Sequence, residues 1–204
     1  MRIGAVILAA GSASRFGGAK LAAPLDGRPL LRHVVDAART AGLDPIIVVV
    51  APGDSLAAVN LGAVTRVTNP DPAEGLSSSV RIGLRALDAD AAEPVDAAII
   101  LPGDQPRVRP EVIRRLVDAA GESPATPFVV ARHAGDGVPN PILAHRSIWR
   151  LADELAGDRG FGPVLATHPE LVRVVDVEGT NPDVDTQADL ARLVEADSSP
   201  GDVS

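Results

Sequence analysis

Four stretches of the sequence have residue types and spacing suited to chemistry. The first is GSASRFGGAK, residues 11–20, which sets Arg15 and Lys20 among glycines directly after an apolar run. Lys20 is the single lysine of the chain, against 18 arginines. A glycine-rich turn lets backbone N–H groups approach phosphate oxygens. A compact ammonium adds a point charge that the wider guanidinium fork delivers differently. The second stretch is PGDQP, with Asp104 just past an apolar run that ends at Leu101. The third is DVDT, carrying Asp183 and Asp185, which share a face if the segment is extended. The fourth is EGLSSSVR, residues 74–81. Mg2+ takes one or two carboxylates and completes its octahedron with phosphates and waters. Asp104 is therefore a candidate metal ligand, with Asp185 as the natural second carboxylate. The chemistry this predicts is transfer of a phosphoryl or nucleotidyl group, carried by positioning and charge neutralisation. No cysteine is present, and His33, His133, His145 and His168 stand beside no Ser or Cys elbow.

Each stretch also has a plainer reading. The glycine loop is compatible with an ordinary β–α turn, and Lys20 with a solvated surface charge. Asp104 suits a turn beside Gly103. Asp185 suits a helix N-cap, and so do the serines of 77–79. Two familiar phosphate templates fail: position 13 is Ala where G-x-G-x-x-G needs Gly, and Lys20 is followed by Leu21 where the P-loop needs Ser or Thr.

Such residues need a frame. Continuous apolar runs at Ile3–Ala9, Pro45–Val50, Val64–Thr68, Ala97–Leu101, Phe128–Ala131 and Leu171–Val177 read as strands buried on both faces. Between them lie stripes at helical spacing: Leu30, Leu31, Val34, Val35 and Ala38, closed by Gly42; Val80, Leu84 and Leu87; and Val112, Ile113, Leu116 and Val117. A last helix over Thr186–Ala196 opens with a capping-box-like T-Q-A-D. Alternating β and α predicts a single-domain α/β protein: a mostly parallel, doubly wound, Rossmann-like sheet with helices on both faces. The domain is expected over residues 1–196, with 88–95 and 132–138 as surface loops and 197–204 as a disordered tail.

In this frame Leu8, Ala9, Ala10, Gly11, Arg15, Phe16, Gly17 and Lys20 spell L-A-A-G-x-x-x-R-F-G-x-x-K, a pattern that resembles the nucleotidyltransferases. Within them the chain is most similar to the molybdenum-cofactor cytidylyltransferases. KLAAPLDGRPLLRHVV, NPDPAEGLSSSVRIGL, LPGDQPRV and DVDTQADL follow in that family's order, over roughly residues 3–193. The resemblance implies that Leu8, Ala9, Ala10, Gly11, Arg15, Lys20, Gly75, Ser78 and Asp104 bind the nucleotide. It gives Arg15, Lys20 and Asp104 the catalytic work and Asp104 with Asp185 the Mg2+. It also implies CTP as donor, because the guanylyl branch usually shows LAGG, and a phosphorylated acceptor such as molybdopterin, with a molybdoenzyme as a partner. In the acceptor half the pattern departs: Pro139-Asn140-Pro141 stands for the usual G-H-P, and Gly162 for the Arg of G-D-x-G-A-R. Two rivals carry the same cleft, an NADPH-dependent oxidoreductase of the nicotine-blue type and a non-catalytic nucleotide sensor or chaperone for a molybdoenzyme.

Composition bounds the partners. A net charge of −8 and 2% aromatics with no Tyr argue against nucleic acid or an anionic membrane surface. The apolar run after Met1-Arg2 suits a buried first strand better than a signal peptide, and no run of about 18 apolar residues exists. A cytoplasmic protein is the expectation.

Overall fold

The computed structural model describes residues 1–12, 14–53, 56–89, 93–134 and 139–198. Seven strands form one sheet. In chain order the elements are β1 (Ile3–Ala9), the two-residue strands β2 (Pro24–Leu25) and β3 (Arg28–Pro29), α1 (Leu30–Thr40), β4 (Ile46–Val50), β5 (Thr65–Thr68), α2 (Leu76–Asp88), β6 (Ala97–Pro102), α3 (Pro110–Glu122), β7 (Phe128–His133), β8 (Ile142–His145), α4 (Gly162–Thr167), β9 (Val172–Val177) and α5 (Gln187–Ser198). The sheet order is β5-β4-β1-β6-β8-β7-β9, and β2 pairs with β3 in a separate hairpin. All neighbours in the large sheet are parallel except β8, which runs antiparallel to both β6 and β7.

The strands expected from apolar runs fall where the sequence puts them, within a few residues at their ends. Every residue of β1 and of β4 is buried, as parallel strands covered on both faces require. Odd positions of β1 pack under α1 and α3, with Leu31, Val34, Ile113 and Leu116. Even positions pack under α2 with Val80, Leu84, Trp149 and Phe161. The sheet is thus doubly wound. Gly42 ends α1 at φ +86, with its N–H donating to Arg39 O and the Leu43 N–H to Ala38 O, a Schellman closure. On the second face Gly83 permits the closest approach in the core: a Cβ there would stand 2.2 Å from Val6 Cγ1.

Beyond β1 the chain builds outward on one side through β4 and β5, then returns through α2 to β6 on the other side. Strand order reverses between β1 and β6, and the carboxyl ends of the two strands flank a crevice. Open α/β sheets bind ligands at such a switch point. The expected loops at 88–95 and 132–138 lie partly outside the described residues. Arg132 and His133 belong to β7. Helix α5 runs through Ser198 and 199–204 lie outside.

Candidate active site at the switch point

From the end of β1 the chain enters the glycine loop. Leu8, Ala9 and Ala10 are buried, whereas a Cβ at Gly11 would meet nothing within 4 Å. Phe16 pins the loop by burying its ring with Leu25, Leu30 and Val184, a small cluster that joins the loop, the β2–β3 hairpin and the segment before α5. The loop closes in a turn of 3-10 helix over Lys20–Ala22, whose first residue is buried.

From the end of β6 comes Gly103, whose N–H donates to Leu8 O at 2.9 Å. A Cβ at Gly103 would lie 2.7 Å from that same oxygen, so glycine is what lets the two strand ends meet. Asp104 follows. Its backbone oxygen accepts from Val184 N at 2.9 Å, which brings the DVDT segment alongside. Val184 is fully buried, and the aspartates on either side of it turn the other way.

The result is one charged knot. Lys20 Nζ lies 2.8 Å from Asp104 Oδ2 and 3.3 Å from Asp185 Oδ1. Arg15, largely exposed, reaches Asp185 Oδ2 at 3.1 Å. Lys20 is therefore not a solvated surface charge: only 10% of its side chain is accessible. Nor is Asp185 the cap of α5. Thr186 accepts from Asp189 N while Asp189 Oδ2 accepts from Thr186 N at 2.7 Å, a capping box with Asp in the third position. Asp185 contributes only its N–H to that arrangement, donating to Asp189 Oδ2 and leaving its carboxylate to the cations. Withdrawal from water raises the Asp183 carboxyl above the ordinary Asp range, the hydrogen bond from Gln105 opposes this, and the neighbouring Asp104 and Asp185 charges add to the rise.

Among the described residues no set of three or more His, Cys, Asp or Glu side chains is arranged to hold a metal alone. A hard divalent ion of the Mg2+ class does not require one. Two carboxylates that already converge on a single cation supply the share of ligands a protein normally gives it, and phosphates and waters supply the rest. Asp104 and Asp185 fit that role.

Two clefts open beside the knot. One, of about 340 Å3, gathers Ala9, Gly11 and Lys20 with Ala51, Pro52 and Gly53 at the end of β4. The β4 contribution is absent from the sequence reading, although the loop-like APG after an expected parallel strand is the signal for it. The other, of about 230 Å3 and mostly apolar, lies on the α2 face and brings Leu8 and Pro102 together with Asn140, Arg159 and Phe161. Both segments that depart from the resembled pattern, 139–141 and 157–162, meet there.

The fourth stretch sits differently from its expectation. Gly75, not a serine, precedes α2 as its cap residue, and the Leu76 N–H is capped from a distant segment by Asp158 Oδ1 at 3.2 Å. Ser78 is 4% exposed; its hydroxyl donates to Gly75 O and accepts from Asn69 Nδ2. It holds the loop's interior together and faces neither cleft. Gly75 makes a close approach, but to the chain itself: at φ +92, its Cβ would lie 2.5 Å from the Gly157 carbonyl carbon. Gly75→Ala therefore meets both a left-handed backbone and rigid neighbours. We expect it to destabilise the fold by about 1–3 kcal/mol, read as a lowered midpoint in urea unfolding. An unchanged midpoint would show that the 157–160 segment yields freely.

Comparison with known proteins agrees with this fold. The family model described as the MobA-like NTP transferase domain matches residues 5–173. Rv0371c from Mycobacterium tuberculosis H37Rv, as a crystal structure, superposes with a TM-score of 0.79 at 33% identity, covering 95% of this chain and 97% of that one. A manganese complex of the same protein superposes equally well, with 31% identity. The bifunctional protein GlmU of Burkholderia lata is 40% identical over 121 residues, which are 57% of this chain and 25% of GlmU, so the chain spans about a quarter of that relative. The 2-C-methyl-D-erythritol 4-phosphate cytidylyltransferase of Cereibacter sphaeroides is 36% identical over 146 residues, 67% of this chain and 64% of that protein. No helix among the described residues is long and apolar enough to cross a membrane.

Proposed function

Because the chain belongs to the MobA-like NTP transferase domain family, we propose that it moves a nucleotidyl group from an NTP to a phosphorylated small molecule. CTP is the proposed donor and molybdopterin the proposed acceptor, in a cytoplasmic protein working alongside a molybdoenzyme. The observation that carries the reading is the meeting of Lys20, Arg15, Asp104 and Asp185 at the switch point. An acceptor phosphate oxygen attacks the α-phosphorus, the α–β phosphoanhydride bond breaks, and pyrophosphate leaves. The attacking oxygen is already anionic, so the reaction needs no general base. This fits a site whose histidines are engaged elsewhere: His33 Nε2 donates to Leu25 O, and His133 Nδ1 pairs with Gly179 O. Lys20 and Arg15 would bind and orient the triphosphate, Lys20 from an enclosed position and Arg15 from the open side. Asp104 and Asp185 would hold a divalent ion, whose charge would neutralise that of the transferring phosphate; the manganese complex of Rv0371c supports this class of ion. The direct test is pyrophosphate release from each NTP with Mg2+ or Mn2+ and a molybdopterin acceptor. No release with any pair overturns the reading.

Donor choice gives a narrower expectation. Ala9 and Ala10 are both buried at the end of β1, and the methyl of Ala9 lines the larger cleft. The guanylyl pattern LAGG has its glycine at position 10, next to Ala9, and losing the packed Ala10 methyl would leave more room for a purine. Size exclusion of this kind is worth about 1–3 kcal/mol, so CTP is expected to bind at least about tenfold tighter than GTP or ATP in calorimetric titration with Mg2+. GTP binding equal to or tighter than CTP would overturn the cytidylyl preference and leave nucleotidyl transfer standing.

A further inference from the structure

Gln105 follows Asp104 in PGDQP and is 6% exposed, unusual for an uncharged polar side chain in a loop between prolines. Both ends of its amide are engaged by the DVDT-side loop. Gln105 Nε2 donates to Asp183 Oδ1 at 2.9 Å, and Gln105 Oε1 accepts from Asn181 Nδ2 at 2.9 Å. Asn181 is 4% exposed, and its own side-chain oxygen is buried with no donor facing it. Burying an amide with an unanswered oxygen destabilises a fold, so stability alone does not account for these two residues. Their position does. The clasp ties the loop that carries Asp104 to the loop that carries Asp185, next to the backbone bond from Val184 N to Asp104 O. Among the described residues Lys20 alone bridges the two carboxylates.

We propose that Gln105 is a positioning residue which, clasped to Asn181 and Asp183, holds the Asp104 and Asp185 carboxylates at the separation a divalent cation needs. The proposal rests on the nucleotidyl-transfer reading for what the cation does, but not for its effect on cation binding. A ligand carboxylate is only as well placed as the bonds that orient its loop, and removing such outer partners typically weakens metal affinity or activity 10–100-fold. Nothing in the clasp touches the larger cleft, so NTP binding without metal should be insensitive to it.

The test compares wild type with Gln105→Leu, Asn181→Leu and the double variant, each checked for folding by circular dichroism and melting. The probes are Mn2+, titrated by electron paramagnetic resonance with a non-hydrolysable CTP analogue present, and the same analogue titrated without metal. The expected result is Mn2+ affinity weakened about 10–100-fold in each single variant, with the double no weaker than the worse single, because the pair acts as one device. The analogue's metal-free affinity should stay within about twofold of wild type, and kcat should fall with little change in KM. A merely structural clasp would lower the melting temperature and leave Mn2+ affinity per folded molecule untouched, which overturns the proposal. Gln105→Glu covers the case in which Gln105→Leu does not fold: it keeps an acceptor for Asn181 but sets a second carboxylate against Asp183, and should also weaken Mn2+. Wild-type Mn2+ affinity in the folded variants, or no Mn2+ binding by wild type, overturns the clasp. A wild-type protein that binds Mn2+ yet transfers nothing overturns the transfer reading, while the variants still judge the clasp.

Discussion

Asp104→Asn is expected to leave the fold intact and to lower nucleotidyl transfer by roughly a hundredfold or more, the scale of losing one preorganised charge at a phosphoryl centre. Both halves of that expectation come from the geometry. Asparagine has the shape of aspartate, and the backbone bond that Asp104 accepts from Val184 N is unaffected by the change. Among the described residues the Asp104 carboxylate bonds Lys20 alone, and Lys20 keeps Asp185 at 3.3 Å when it is gone. Removing one of two like charges also relieves their mutual repulsion. The stability change should therefore stay within about 1 kcal/mol, as for an ordinary part-exposed hydrogen bond. In the proposed metal role chemistry has no such reserve, because an amide would not supply the anionic oxygen that a divalent ion takes. Transfer is read by pyrophosphate release and folding by thermal melting. Near wild-type turnover in a folded Asp104→Asn protein removes Asp104 from the site.

The central parallel strands are legible in the sequence because strands covered on both faces must be continuously apolar, and IGAVILA and IIVVV cannot satisfy any other environment so well, whereas the edge strands β5 and β9 are partly exposed. β8 is not legible. Ile142–His145 is four residues long, follows Pro139 and Pro141, and is not among the strands that the apolar runs predict. Only the tertiary structure shows it inserted antiparallel between β6 and β7, with Ala131 N donating to Pro141 O. The β2–β3 hairpin, by contrast, carries a signal that goes unread in LAAPLDGRPLL. Asp26 and Gly27 both have positive φ, +51° and +75°, which is what an Asp-Gly hairpin turn demands.

The site shows the same division. That Lys20 and Asp104 each end a buried strand's loop follows from the sequence, because ligands gather at the carboxyl ends of parallel strands. That Lys20 touches both Asp104, 84 positions away, and Asp185, 165 positions away, does not. It depends on which strands neighbour each other, and only the resemblance pairs the two acids. The alternative of Asp185 as a helix cap is equally open in the sequence, since Asp185 and Thr186 are both good caps; the capping box at Thr186 decides it. Gln105 and Asn181 are missed because burial of a polar side chain in a loop leaves no trace in periodicity.

Lys20→Met is expected to have two opposite effects: tighter Mn2+ binding without nucleotide, by about tenfold or more, and transfer lowered by roughly a hundredfold or more. Free of nucleotide, the Lys20 ammonium occupies the point where the Asp104 and Asp185 carboxylates converge, and its side chain is almost wholly enclosed. A cation entering there must displace it and leave the enclosed ammonium without its partners, which opposes metal entry even though the two carboxylates stay partly open to solvent. A triphosphate bound as proposed would remove this penalty, because its oxygens would accept from the displaced ammonium and, with it, from Arg15 drawn off Asp185. On the proposed function the lysine would couple metal entry to nucleotide entry, and such coupling is reciprocal. Methionine fills a similar volume and competes with nothing, so Mn2+ should bind the two carboxylates without waiting for nucleotide. The triphosphate meanwhile loses its point charge, and binding and turnover both fall. Lys20→Arg should restore transfer only in part, since the planar fork cannot sit at a single point between two carboxylates. Paramagnetic-resonance titration of Mn2+ with and without CTP reads the coupling directly. Mn2+ affinity unchanged or weakened in nucleotide-free Lys20→Met would show that the ammonium does not guard the metal position, and would leave Lys20 as a phosphate ligand alone.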